Sequence, residues 1–241
     1  MIYVMSDIHG NKRNFDSIMN QIQLQPKDTL YILGDVIDRY PYGIDLLCKI
    51  KTMPNAKLLL GNHEYMMLNA LEKANTSIYA GNKLLYYKKL ELWYENGGDA
   101  THREFKKLDK ATRTDLLVYL KHLPISVDIE IDGKKYKLVH STPPEMFMDN
   151  TDPWYNDERQ FAVWNRLNAE TPIPKGYTLI FGHTPTIYFQ EDNILKIWYG
   201  DDRIGIDCGS GFLDLKKDYN PEVGRLACLR LNDMKEFYSN R

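Results

Sequence analysis

Apolar and polar positions near the start of the chain switch repeatedly between two periods. Ile2 to Met5 is a short apolar run that stops at Asp7. Phe15, Ile18, Met19 and Ile22 then recur at helical spacing, which predicts a helix. Thr29 to Leu33 is a second apolar run, ending at Gly34-Asp35. Ile44 to Ile50 is helical again, with Pro54-Asn55 as the break. Ala56 to Leu60 is a third run, ending at Gly61-Asn62. Short strands alternating with helices predict a βαβαβ unit, with a parallel sheet and right-handed crossovers. Strands this apolar need cover on both faces.

Beyond that unit the pattern changes. Residues 64–123 are mostly helical, with Leu84, Leu85 and Leu92, and later Leu116, Leu117 and Leu120, around an Asn96-Gly97-Gly98 turn. No Pro/Ser-rich linker bounds this stretch, so it reads as a helical insertion within a single domain spanning 1–241. From Pro124 the pattern is β: Ile125, Val127, Ile129 and Ile131 alternate, and Asp132-Gly133 is a hairpin turn signal. Tyr136 to Val139 is the return strand, ending at His140. Residues 143–176 form a long connection containing Pro, Asp and Asn, and connections of that length are usually functional. Further strands are predicted over Tyr177 to Phe181, Ile194 to Tyr199, Ile204 to Ile206 and Leu226 to Leu231.

Composition narrows the function class. The 241 residues are 43% hydrophobic and 27% charged, ordinary for a soluble globular protein with a real core. A formal net charge of -2 lacks the basic excess of a non-specific nucleic-acid binder, so no nucleic-acid partner is expected. The first residues lack a basic leader region, and no apolar run approaches the ~18 residues of a membrane span. A cytoplasmic protein without a membrane partner is the expectation. Cys48, Cys208 and Cys228 are scattered and form no CxxC pair, which argues against a thiolate metal site. They read as small buried hydrophobes in a reducing compartment.

The informative polar residues sit at the carboxyl ends of predicted strands: Asp7 and His9, Asp35, Asn62 and His63, His140, and His183. Ligand sites in open α/β sheets lie beyond those ends. Four of the six histidines belong to this set; His102 and His122 fall in the helical insertion and read as solvated or packed. Mixed Asp, Asn and His donors without cysteine suit Mn²⁺, Fe or Zn²⁺ better than Ca²⁺. Seven such groups are too many for one tetrahedral site and suit two ions sharing a carboxylate. Asp35, mid-sheet between the other strands, is the expected bridge. Burying this set merely for packing would cost several kcal/mol per unpaired group. Asp7 alone could serve as a helix N-cap. Gly209-Ser210-Gly211 lacks the Gly-x-Ser-x-Gly pattern of a nucleophile elbow and reads as a turn.

Three blocks, Asp7-Ile8-His9-Gly10, Gly34-Asp35-Val36-Ile37-Asp38-Arg39 and Gly61-Asn62-His63-Glu64, resemble the signature of PPP-type serine/threonine phosphatases. These belong to the calcineurin-like metallophosphoesterase superfamily. The resemblance continues through Trp93 to Gly98, Val163-Trp164-Asn165-Arg166 and Phe181-Gly182-His183-Thr184-Pro185, and is greatest to the bacteriophage lambda and bacterial type. It implies a four-layer α-β-β-α sandwich of two mixed sheets with flanking helices. It implies two divalent ions, Mn²⁺ first, with Fe or Zn as alternatives. Asp7, His9 and Asp35 would hold one; Asp35, Asn62, His140 and His183 the other. A water bridging them would be the nucleophile. His63 would be the general acid, oriented by Asp38, while Arg39, Arg166 and Asn62 would grip the phosphate. The implied substrates are phosphomonoesters: phosphoserine or phosphothreonine in proteins, phosphotyrosine also admitted, or a small phosphorylated molecule. The alternative is symmetric hydrolysis of dinucleoside polyphosphates such as diadenosine tetraphosphate.

Two details bear on that choice. Related phosphodiesterases end in Gly-His-x-His, whereas Pro185 stands at the second His position here, and the Asp38-Arg39 pair also favours monoesters. Tyr40, where the family usually has Gly, and Ser141-Thr142 after His140 depart from the pattern and bear on the rim of the site.

Overall fold

The computed structural model describes residues 1–71, 83–190, 195–212 and 224–240, without the side chains of 83–85. The first unit runs β1 (Ile2–Met5), α1 (Lys12–Ile22), β2 (Thr29–Ile32), α2 (Gly43–Thr52) and β3 (Ala56–Leu58). β1 pairs in parallel with β2, and β2 with β3, as the alternation of periods predicts. Among the described residues, four helices follow: α3 (Asn62–Leu71), α4 (Lys83–Glu95), α5 (Gly98–Lys107) and α6 (Lys110–Lys121). Next come the hairpin β4 (Ser126–Ile131) and β5 (Lys134–Val139), α7 (Glu158–Trp164), β6 (Thr178–Phe181), β7 (Trp198–Tyr199), β8 (Arg203–Gly205), β9 (Ala227–Arg230) and β10 (Lys235–Tyr238).

These strands make two five-stranded mixed sheets, ordered β10-β9-β1-β2-β3 and β4-β5-β6-β8-β7. The period-two pattern of each strand decides which core a residue enters. Met5, Leu30 and Ile32 point to a core shared with the helices. Their neighbours Val4, Tyr31 and Leu33 point the other way, into a core between the sheets, where they meet Leu138, Ile180 and Ile206. A one-residue slip of β2 would exchange the two sets, so two apolar faces pin the register. The far face of the second sheet is covered by a smaller cluster of Val139, Leu167, Leu179 and Phe181.

The parallel registers Ile2↔Thr29 and Leu30↔Ala56 bring the carboxyl ends of β1, β2 and β3 to one edge. Tyr136↔Thr178 and Leu179↔Arg203 do the same for β5, β6 and β8. The Asp132-Gly133 turn takes left-handed backbone at both residues, φ 50° and 77°, the conformation a two-residue hairpin favours.

Four elements differ from the sequence expectation. α3 starts at Asn62, so the Asn62-His63 pair lies in a helical first turn, ahead of the helical pattern read from residue 64. The 143–176 connection contains the short helix α7, capped by the Asp157 side chain on Gln160 N at 2.8 Å; seven residues are too few to show periodicity. β10 was not foreseen, because Phe237 is its one buried apolar residue, as expected of an edge strand. The strand expected over 194–199 shortens to Trp198–Tyr199, with Leu195 and Ile197 buried outside it. Ile194 and the Leu84 and Leu85 side chains lie outside the described residues.

Candidate active site

The strand-end residues sit on tightly wound loops. Asp7, His9, Asp35, Asp38, Arg39 and His183 all have left-handed backbone, with φ between 53° and 73°. Such conformations cost about 1–3 kcal/mol each for non-glycine residues and persist where surroundings enforce them. Glu64, fully buried, is one enforcer. Its carboxylate accepts hydrogen bonds from Asp35 N (2.8 Å), Val36 N (2.8 Å), Ile37 N (3.3 Å) and Gly61 N (3.1 Å). Gly61 allows the approach, since a Cβ there would lie 2.2 Å from Asp35 Oδ1. Asp7 does not cap α1; Asn11 does, accepting from Asn14 N at 3.2 Å.

The loops converge. His9 Nε2 lies 3.8 Å from Asp7 Oδ1 and 3.7 Å from Asp35 Oδ2. His140 Nε2 lies 3.0 Å from Asn62 Oδ1 and 3.5 Å from Asp35 Oδ1. His183 N donates to Asp7 Oδ2 at 3.0 Å, tying the two sheets together at the site. Among the described residues, ligand-type atoms form two compact groups, His9-Asp35-His63 and Asp35-His140-His183, with all atoms of each within 4.8 Å. Asp35 belongs to both.

The outer nitrogens of the histidines separate them into two kinds. His9 Nδ1 donates to Ile37 O (3.3 Å), His140 Nδ1 to Leu33 O (2.7 Å) and His183 Nε2 to Trp164 O (3.2 Å). Each of these rings therefore turns a bare lone pair inward. His63 differs: its Nδ1 meets Asp38 Oδ2 at 2.6 Å, and its Nε2 faces Asp35 Oδ2 at 3.8 Å and Arg39 Nη2 at 3.4 Å.

Asp38 is itself held by the helices of residues 64–123. Trp93 Nε1 on α4 donates to Asp38 Oδ2 (2.8 Å), and Asp38 N donates to Thr101 Oγ1 on α5 (2.8 Å). The intervening turn presses on Arg39, whose N donates to Gly97 O at 3.0 Å; a Cβ on Gly97 would lie 3.2 Å from Arg39 Cα. The helices thus position the Asp38-His63 pair as well as covering the sheet. His102 packs on Trp93 and His122 on Val118 O, both away from the cage.

A cavity of about 450 Å³ opens over this cage, lined by Asp7, His9, Asp35, Asn62, His63 and His183 together with Arg39 and Arg166. His140 and Asp38 lie behind its wall, fully buried. Arg39 Nη1 donates to Gly211 O (3.4 Å), and Arg166 Nη1 to His183 O (2.7 Å). These bonds fix both guanidinium groups at the cavity.

Three contributors escaped the sequence reading. Asp207, buried on the cavity wall, follows β8 and accepts from Gly209 N at 2.9 Å. The strand-end rule that identified Asp35 would have found it. The roles of Glu64 and Thr101 had no comparable signal, because each acts through backbone amides distant in sequence. Gly209-Ser210-Gly211 is a turn as read, and it packs directly on the site: a Cβ at Gly211 would lie 2.1 Å from His9 Cδ2.

Electrostatics test whether cations fit. Burial pushes Asp35 well above the usual carboxylate range, Asp38 up to about 7 and Asp207 up to about 8. Burial likewise lowers His9 and His183 far below the ordinary imidazole value, His140 below it, and His63 to about 4. The protein alone therefore solvates none of these charges well. With His140 neutral and its Nδ1 proton on Leu33 O, its Nε2 lone pair points at the Asn62 oxygen and at Asp35. Facing lone pairs repel unless a cation lies between them. Hard oxygen and imidazole donors with Asp35 common to both groups fit a pair of divalent ions.

The chain resembles known proteins in sequence and in fold. The profile of the calcineurin-like phosphoesterases matches residues 1–221. The chain belongs to that family. It is a metallophosphoesterase, a hydrolase of phosphoric ester bonds. Serine/threonine-protein phosphatase 2 of Escherichia coli is 33% identical over 239 residues, 95% of this chain and 92% of that one. The symmetrical bis(5'-nucleosyl)-tetraphosphatase of Proteus mirabilis is 34% identical over 73 residues, 30% of this chain and 27% of that one. A metallophosphoesterase from Sphaerobacter thermophilus shares the fold, with a TM-score of 0.53 at 16% identity over 99% of this chain and 87% of that one. No helix among the described residues is long and apolar enough to cross a membrane.

Proposed function

We propose that this chain is a metal-dependent phosphatase of phosphomonoesters, acting on phosphoserine and phosphothreonine side chains and admitting phosphotyrosine. The observation that carries the reading is the carboxylate of Asp35, common to both ligand groups, beside a histidine paired with a buried carboxylate. Asp7, His9 and Asp35 would hold one divalent ion, and Asp35, Asn62, His140 and His183 the second, Mn²⁺ being the expected metal. When bound, such a pair supplies an activated water and neutralises charge on the phosphoryl oxygens.

The chain's own groups supply the rest. Arg39 and Arg166, with the amide of Asn62, orient a phosphate dianion from the open side, since guanidinium donors match its oxygens. His63 Nε2 faces the cage and can deliver a proton to the departing alkoxide. Asp38 holds that ring from behind through Nδ1 and fixes its orientation. The ring belongs to the first of the two groups, and its Nε2 has Asp35 Oδ2 and Arg39 Nη2 as inward neighbours. Its position beside the Arg39 guanidinium, which would hold the phosphate, supports a protonation role over a ligand role.

The E. coli relative, similar along nearly the whole chain, supports a protein substrate. A second reading, symmetric dinucleoside polyphosphate hydrolysis, is favoured by the P. mirabilis relative, whose likeness covers 30% of this chain. Mn²⁺-loaded protein assayed side by side on phosphoserine peptide and diadenosine tetraphosphate decides between them. Faster turnover of the tetraphosphate would replace the first reading with the second; inactivity on both with metal retained would remove both.

A further inference from the structure

The cavity has a second character that phosphate chemistry does not use. Aromatic rings also line it: Tyr188, Trp164 and Phe212. Tyr188 is 71% exposed, in contrast to the buried Thr186 two residues before it. It sits on a short turn, Thr186–Phe189, directly after Gly182-His183-Thr184-Pro185. That turn is anchored on both sides of Tyr188. Ile187 packs into the core between the sheets, while Phe189 stacks on Trp198 with ring centroids 4.6 Å apart and meets Phe181 edge-on at 5.7 Å. Tyr188 N donates to Pro185 O at 3.1 Å. Its hydroxyl has no hydrogen-bond partner among the described residues. A large ring is therefore held outward on a firm base, with its own packing unfilled.

Trp164 is fixed with similar care. Its indole meets Trp154 edge-on (5.6 Å, 86°) and His183 edge-on (6.2 Å, 85°). The cavity is thus lined both by charged groups and by rings with few rotatable bonds. Rigid aromatic walls bind flat aromatic groups at low entropic cost.

We propose that Tyr188 and Trp164, which both line the cavity, act as an aromatic slot that favours, among the substrates admitted, those whose leaving group carries a planar aromatic ring. The inference rests on the phosphatase reading above and refines its substrate class. Phosphotyrosine offers such a ring next to the phosphate, and a dinucleoside polyphosphate offers one on its base; phosphoserine offers none.

The test uses the metal-loaded full chain, wild type against Tyr188→Ala and Tyr188→Phe, on three substrates: phosphotyrosine and phosphoserine peptides of otherwise identical sequence, and diadenosine tetraphosphate. Tyr188→Ala should lower kcat/KM for an aromatic substrate relative to phosphoserine by about five- to tenfold, the scale of one aromatic contact. Tyr188→Phe should retain the wild-type ratio. A change confined to phosphotyrosine, or to the tetraphosphate, identifies which ring the slot takes. Unchanged ratios in Tyr188→Ala overturn the slot. Calorimetry separates this from the function itself. Wild type should bind phenylphosphonate more tightly than methylphosphonate, and Tyr188→Ala should remove the difference; equal binding in wild type overturns the slot even in an active enzyme. A binding difference without turnover overturns the phosphatase reading and leaves the slot standing.

Discussion

The cage has two unlike banks. The first, from Asp7 to Glu64, comes from the ends of three adjacent parallel strands. It is wired from behind: Glu64 ties four backbone amides, and Asp38 is held by Trp93 and Thr101. The second bank, His140, Arg166, His183 and Asp207, comes from strand ends and a helix end separated by long connections. There, buried histidines stand beside the exposed Arg166 and Tyr188. The contrast teaches a division of labour. Groups that must stay charged together are placed where hydrogen bonds enforce their geometry. Arg166 and Tyr188 are exposed on the second bank, while His63, which would protonate the leaving group, belongs to the enforced first bank.

The largest effect should come from the residue both banks share. Asp35→Asn is expected to abolish turnover and to lower bound metal toward zero, read by elemental analysis; full metal retention would disprove the shared bridge. His63→Asn, confined to the first bank, should lower kcat by about 10²–10⁴-fold, the usual range for a general acid, with metal content intact. Loss of metal in that variant would make His63 a ligand instead. On the second bank, Arg166→Ala should raise the inhibition constant of inorganic phosphate by about tenfold or more, given roughly 1.5–3 kcal/mol for a charged hydrogen bond. Equal inhibition by phosphate would take Arg166 out of the site. The smallest effect is structural. Thr101→Val leaves the buried Asp38 amide without its acceptor, which should cost about 1–3 kcal/mol. Thermal unfolding should fall by several degrees; an unchanged midpoint would show that the first bank is less tightly wired than its hydrogen bonds suggest.

Most of the first bank was legible in the residues themselves. Strands ending in Asp7, Asp35 and Asn62 share one motif grammar, and parallel βαβ geometry delivers their ends to one edge. His140 and His183 were legible as strand ends too, although the sequence does not say that a second sheet faces the first. The helices of 64–123 read as mere cover, because Trp93 and Thr101 carry no local pattern pointing back at Asp38. Asp207 went unnoticed beside the louder Gly209-Ser210-Gly211 turn. Tyr188 looked like one tyrosine among seventeen, and its exposure depends on Ile187 and Phe189 being drawn into separate cores.

What the amino-acid order determined by itself was the local repertoire: alternation that makes strands, glycines that permit tight loops, and donor types that suit divalent ions and phosphate. Those follow from the chemistry of near neighbours. Tertiary structure alone decided which lone pairs face each other, which amides hold the carboxylates, and which ring stands in solvent beside the cavity. Such relations join residues more than a hundred positions apart, as His140 to Leu33 and His183 to Asp7. They are set by sheet packing and burial, and no short stretch of chain encodes either.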